Sequence, residues 1–70
     1  MKYAVVIEEG PKSFGAYVPD LPGCVAVGES RAEIVKLIHE AIEFHLRSLQ
    51  EQGERIPLPA STVEIVNVAA

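Results

Sequence analysis

Val18-Pro19-Asp20-Leu21-Pro22-Gly23-Cys24 is the stretch on which the reading of this 70-residue chain turns. Two prolines and a glycine are strong punctuation, ending one extended segment and aiming the next. Pro22-Gly23 fits positions i+1 and i+2 of a type II turn, because proline presets φ at about −65° and glycine takes positive φ without strain. Pro19 holds Val18 extended, since its ring crowds the α region of the preceding residue. The stretch is therefore expected to be a rigid elbow between two strands. Two roles are open to it. One is a tight connection and nothing more. The other is a docking surface, with Tyr17, Pro19, Asp20, Leu21, Pro22, Gly23 and Cys24 as candidate partner contacts.

Upstream of the elbow, residues 3–8 (Tyr-Ala-Val-Val-Ile-Glu) are short and rich in β-branched side chains, which reads as a first strand. Both of its faces are apolar, with Tyr3, Val5 and Ile7 on one and Ala4 and Val6 on the other. Such a strand is covered on both sides, within the chain or by a neighbour. Glu9-Gly10-Pro11-Lys12-Ser13 is a turn, and residues 14–18 form a second strand. So short a connection implies an antiparallel hairpin. After the elbow, residues 24–27 form a third strand, closed by Gly28. A three-stranded meander is the economical topology.

Ser30-Arg31-Ala32-Glu33 then matches the capping box that opens a helix. Nothing breaks the helix until about Gln52, and Gly53 is a natural residue to end it. At 100° per residue, Ile34, Ile38, Ala41, Ile42, His45 and Leu49 share one face, flanked by Val35 and Leu46 and by Leu37 and Phe44. Lys36, Glu40, Glu43, Arg47 and Gln50 lie opposite. The apolar sector covers roughly half the circumference, wider than the ~100° stripe that seats a helix on one sheet. Downstream, Ile56-Pro57-Leu58-Pro59 is extended, because prolines two apart forbid helix and discourage a central strand. It is expected to carry the chain to a last strand over residues 62–68. The order is thus β-β-β-α-β: an α+β fold in one domain spanning residues 1–70, with a single long helix on one sheet face. The other face is expected to be uncovered.

Size bears on assembly. Ordering costs about 1.5 kcal/mol per residue against ~25 cal/mol per Å² of apolar burial, so a chain this short roughly breaks even alone. A single cysteine, Cys24, excludes an intrachain disulfide, and two scattered histidines do not suit a structural zinc site. Yet 49% of the residues are hydrophobic. Self-association is the expected outlet for that surplus, as a dimer or tetramer. The net charge of −4, with Lys2, Lys12, Arg31, Lys36, Arg47 and Arg55 dispersed, argues against a nucleic-acid binder. The apolar run at residues 4–7 is too short for a signal or membrane segment. With an unpaired thiol, a cytoplasmic location is expected.

Catalytic groups do not converge. His45 lies within the apolar helix face, where a packed, hydrogen-bonded ring is the ordinary role, and His39 is about 120° away from it. Asp20 is the only aspartate, and the glutamates lie mainly at the end of the first strand and on the polar helix face. A two-metal nuclease needs several carboxylates aimed at one point. No phosphate-cradling glycine loop is present. The expectation is a protein that is not an enzyme, with no cofactor and no metal.

These features in this order resemble the HicB-type antitoxins. The resemblance is carried by Glu8-Glu9, by Tyr17 through Cys24, by Ala26-Val27-Gly28-Glu29-Ser30 with Ala32-Glu33, by Glu40-Ala41-Ile42 and His45-Leu46, and by Gly53 through Pro59. It covers nearly the whole chain. It implies a degraded, partial RNase H-like fold that has lost its nuclease carboxylates. It also implies an antitoxin that binds HicA, a small basic mRNA-cleaving toxin of double-stranded-RNA-binding-like fold, and blocks its catalytic surface. Family members form dimers or higher assemblies, and many carry a further C-terminal ribbon-helix-helix or helix-turn-helix domain. This sequence departs at Ala70, directly after the expected last strand, and at Ile34, where many relatives have alanine. A short form that does not itself bind operator DNA is therefore expected. The alternative is a stand-alone oligomeric domain of this type that binds a small ligand or another protein.

Overall fold

Hydrogen bonding between neighbouring segments builds three short strands, and a capped helix follows them. The computed structural model describes all of Met1–Ala70. Strands β1 (Val6–Glu9), β2 (Phe14–Tyr17) and β3 (Val25–Gly28) precede one helix, α1 (Arg31–Glu51). The sheet runs β1-β2-β3, both pairs antiparallel, which is the expected meander. Gly10 N–H donates to the Ser13 carbonyl in the hairpin turn.

The elbow is two successive turns. Leu21 N–H donates to the Val18 carbonyl (3.0 Å), and Cys24 N–H donates to the Leu21 carbonyl (3.0 Å). In the second turn Pro22 occupies i+1 and Gly23 occupies i+2 with φ +83°, the type II geometry that the sequence calls for. Val18 N–H reaches the Cys24 carbonyl at 3.2 Å and closes the base.

Helix α1 is capped at both ends as its sequence dictates. Ser30 has extended backbone (φ −143°, ψ 165°) and its hydroxyl accepts from Glu33 N–H at 3.1 Å. The Glu33 carboxylate reaches back one residue further than the usual box, to Glu29 N–H at 3.4 Å. At the other end Gly53 adopts φ +71°, with Gly53 N–H on the Gln50 carbonyl and Glu54 N–H on that of Leu49. This is a complete Schellman motif. A helix of 21 residues is about 31 Å long, whereas four-residue strands reach only about 13 Å. The helix therefore overshoots the sheet.

Ala16, Val18, Leu21, Cys24, Ile34 and Ile38 form the buried core, with Tyr3, Val5, Ile7, Phe14, Ala26, Ala41, Ile42 and Leu46 packed round it. Half of this core comes from the elbow and its approaches rather than from the strands. Leu21 and Ile34 are completely buried. The edges of the wide apolar helix sector stay in solvent, where Val35 and Phe44 are exposed.

The expected fourth strand is not formed. Residues 62–68 have no ladder partner, and Ile65 is 92% exposed. The chain returning from the helix is bonded first by the Tyr3 hydroxyl, which donates to the Pro57 carbonyl. It is bonded next by the Asp20 carboxylate, at Ala60 and Ser61. Tyr3 leads into β1, and Asp20 sits in the β2–β3 elbow, so residues 57–61 cross the end of the sheet away from the outer edge of β1. A β-branched run forms a strand only on a pleated surface that accepts it. This run is laid against neither of the sheet's two free edges, the outer edge of β1 or that of β3.

Candidate interaction surface

Strand register sorts the sheet into two faces, because residues paired across strands share a side. Ile7, Ala16 and Ala26 align, as do Glu9, Phe14 and Gly28. Ala16 is in the core and Ala26 packs on it, so these rows face α1. Val6, Tyr17 and Val25 align on the opposite side, as do Glu8, Gly15 and Val27. Nothing covers that side. Val25 is 63% and Val27 70% exposed, and Tyr17 beside them is exposed too. A valine pair and a tyrosine on an open sheet, edged by Glu8, make an apolar patch with a charged margin. Contiguous exposed apolar surface of this kind marks sites of protein contact.

The elbow borders this face, and the structure divides its seven candidate residues into two groups. Leu21 and Cys24 lie in the core and present no surface to a partner. Tyr17, Pro19, Pro22 and Gly23 are exposed. Asp20 is half-buried and committed to the chain itself. Its Oδ2 accepts from Ala60 N–H and Ser61 N–H, and its Oδ1 from the Ser61 hydroxyl, all at 2.8 Å. Those bonds, first the Ser61 amide and then the Ala60 amide, hold its pKa below the ordinary aspartate value. Burial pushes the Cys24 thiol above its ordinary value and makes a thiolate unfavourable there.

Val25 and Val27 are the surface residues that motif reading passes over. The signal for them is alternation: Cys24 and Ala26 are small and inward, whereas Val25 and Val27 are larger and outward. The other titratable groups stay apart. No three of the histidine, cysteine, aspartate and glutamate side chains gather where they could hold a metal ion. His39 Nδ1 lies 3.7 Å from Glu43, both largely exposed where they line the groove between the helix and β1, and His45, two residues beyond Glu43, is half-buried. No helix is long and apolar enough to cross a membrane. The chemistry this surface offers is contact.

Comparison with known proteins bears on what it contacts. A family model described as the HicB-like antitoxin of bacterial toxin–antitoxin systems matches residues 3–69. An uncharacterized 14.9 kDa protein of Haemophilus phage HP1 is 31% identical over 67 residues, which is 96% of this chain and 50% of the phage protein. The chain thus spans half the length of that relative. A UPF0150 protein of Thermoplasma acidophilum is 38% identical over 58 residues, 81% of this chain and 84% of its own length. Among solved structures, a chain of a complex named HicA3 and HicB3 toxin–antitoxin complex superposes with a TM-score of 0.74 at 32% identity, covering 86% of this chain and 70% of that one.

Proposed function

The chain belongs to the HicB-like antitoxin family, and from that premise we propose that it binds a small basic HicA-type toxin and occludes the toxin's RNA-cleaving surface. The observation that carries this reading is the likeness, in sequence and in fold, to a chain of a toxin–antitoxin complex. The charge supports it: a net charge of −4 and a pI of about 5.0 complement a basic partner and speed its encounter. Membership of an antitoxin family suggests a non-catalytic role. The dispersal of the carboxylates and the structural commitment of Asp20 are in keeping with it.

The proposed contact surface is the open sheet face together with the exposed part of the elbow. Three four-residue strands about 4.8 Å apart present a face of only about 13 by 14 Å. A stable protein interface buries roughly 800 Å² per partner. The sheet alone is too small, so Tyr17, Pro19, Pro22 and Gly23 have to widen it. Valines and a tyrosine at the centre and a charged margin are the usual anatomy of such a contact.

Self-association belongs to the same proposal. Only seven of 70 residues are buried, and Val35, Phe44, Leu58 and the last nine residues leave much apolar surface in water. A dimer or tetramer in the cytoplasm, where the mRNA cleaved by such a toxin is found, is the working form we propose.

Co-expression with a small basic HicA-type toxin tests the function. The expected result is a complex that co-purifies and growth that recovers from toxin arrest. No complex and no recovery would sink the toxin assignment and favour a stand-alone domain that binds another protein or a small ligand.

A further inference from the structure

The structure leaves three features unexplained by toxin binding, and they fit one another. Residues 62–68 contain five β-branched side chains in seven positions, Thr62, Val63, Ile65, Val66 and Val68, and carry a single charge, Glu64. All seven are exposed. A segment of this composition with nothing to pair with is the signature of an aggregation hazard, and in native proteins such a run is covered. The second feature is a free sheet edge. The order β1-β2-β3 leaves the outer edges of β1 and β3 without partners, and only that of β1 adjoins an apolar groove. The third is a groove of about 490 Å³ on the helix side of that same strand. Tyr3, Val5 and Ile7 form one wall of the groove, and Val35, Ile42 and Leu46 of α1 form another. The groove exists because the helix packs on β2 and β3 and leaves the β1 side open.

We propose that residues 62–68 of one copy add as a strand to the outer β1 edge of a second copy, filling its apolar groove, and that the exchange is reciprocal. The chain's own tail leaves its β1 edge unpaired. The Asp20 bonds to Ala60 and Ser61 pin the start of the tail at the β2–β3 elbow, on the far side of the sheet end from that edge. Beyond Ser61 the tail has nine residues, an extended reach of about 30 Å, against about 13 Å needed to span β1. Addition of a strand satisfies the unpaired backbone of an edge and seats alternate side chains in the adjoining groove. A two-fold arrangement lets each copy both give and receive, which closes the assembly. The elongated outline of the single chain agrees: its radius of gyration is 13.8 Å, whereas a compact chain of this length has about 11 Å.

This inference rests on the self-association proposed above and names its interface, so the test separates the two. The full chain is measured by light scattering after size exclusion, together with amide exchange of residues 62–68 and the double variant Ile65→Asp, Val66→Asp. Because both side chains are exposed in the single chain, the variant leaves the monomer fold intact, and circular dichroism of α1 checks this. The expected result is a mass of at least twice 7.6 kDa with protected tail amides, falling to the monomer mass in the double variant. A monomeric wild-type chain would overturn self-association and the exchange with it. A dimer whose mass is unchanged in the variant, or whose tail amides exchange freely, would overturn the exchange alone. So would tail amides protected in a monomer, or protected only once a toxin is added.

Discussion

The Asp20 carboxylate accepts three hydrogen bonds from the far end of the chain, and this makes it a clamp that reads pH. Its folded pKa lies below the ordinary value of 3.8. A group depressed in this way contributes stability that is complete above the unfolded pKa and lost as pH falls through the folded one. Protection of the Ala60 and Ser61 amides, taken as exchange relative to the intrinsic rate at each pH, should therefore be high at neutral pH and fall on acidification below 3.8, while amides of the core helix remain protected. In Asp20→Asn the protection at Ala60 and Ser61 should already be reduced at pH 7 and its acid dependence should vanish; unchanged exchange there would mean that the clamp holds nothing. Leu21, next to it, does a different job. It is 0% exposed, so Leu21→Ala removes core volume and should cost about 2–5 kcal/mol. A domain of this length has roughly 4–10 kcal/mol in all. Urea titration should show a large drop in midpoint, and a change under about 0.5 kcal/mol would contradict the packing described.

At the scale of the element, helix α1 carries its own start and stop signals, and both are used. Gly53 holds φ +71° at the end of the Schellman motif. A side chain there strains the left-handed backbone by about 1–2 kcal/mol, so Gly53→Ala should destabilise by that amount although open space surrounds the position. Thermal melts of the pair would show it; equal melting temperatures would mean that the helix end rearranges freely. The strands are less self-sufficient. Each has four residues, below the common strand length of about five to six, and makes all of its ladder bonds to neighbouring strands. The 62–68 segment shows the consequence. Its composition is as strand-like as that of β1, yet it is laid against no other strand and forms no ladder.

The whole molecule is a small core with two unequal sheet faces and an overshooting helix. Its open face supplies the most direct test of the proposed toxin contact. Val25 and Val27 already sit in solvent, so Val25→Ser with Val27→Ser should change folding stability by only about 0.5 kcal/mol each. Burying a valine against a partner is worth about 1.5 kcal/mol, and tenfold in affinity corresponds to about 1.4 kcal/mol. Calorimetric titration against the toxin should then show binding weakened by roughly ten- to a hundred-fold. A neutral substitution is chosen because added acid would strengthen attraction to a basic partner and hide the loss. Unaltered affinity would move the contact away from this face.

What the sequence by itself determined was local. Pro22-Gly23 requires its turn, Ser30 and Glu33 start the helix, and Gly53 ends it. Each of these follows from sterics or hydrogen bonding within a few residues. The order of three antiparallel strands and one long helix follows from them, because connections so short allow little else. What only the tertiary structure decided depends on which distant groups meet. Asp20 reads equally well as a turn residue or as a surface contact until Ala60 and Ser61, 40 and 41 residues on, are seen to bind it. Leu21 reads as a surface candidate until the double turn folds it into the core. Residues 62–68 read as a strand until the chain beyond the clamp is seen to pair with neither edge of the sheet. Strand propensity is a property of a segment, but pairing is a property of two, and the second partner is not written in the segment.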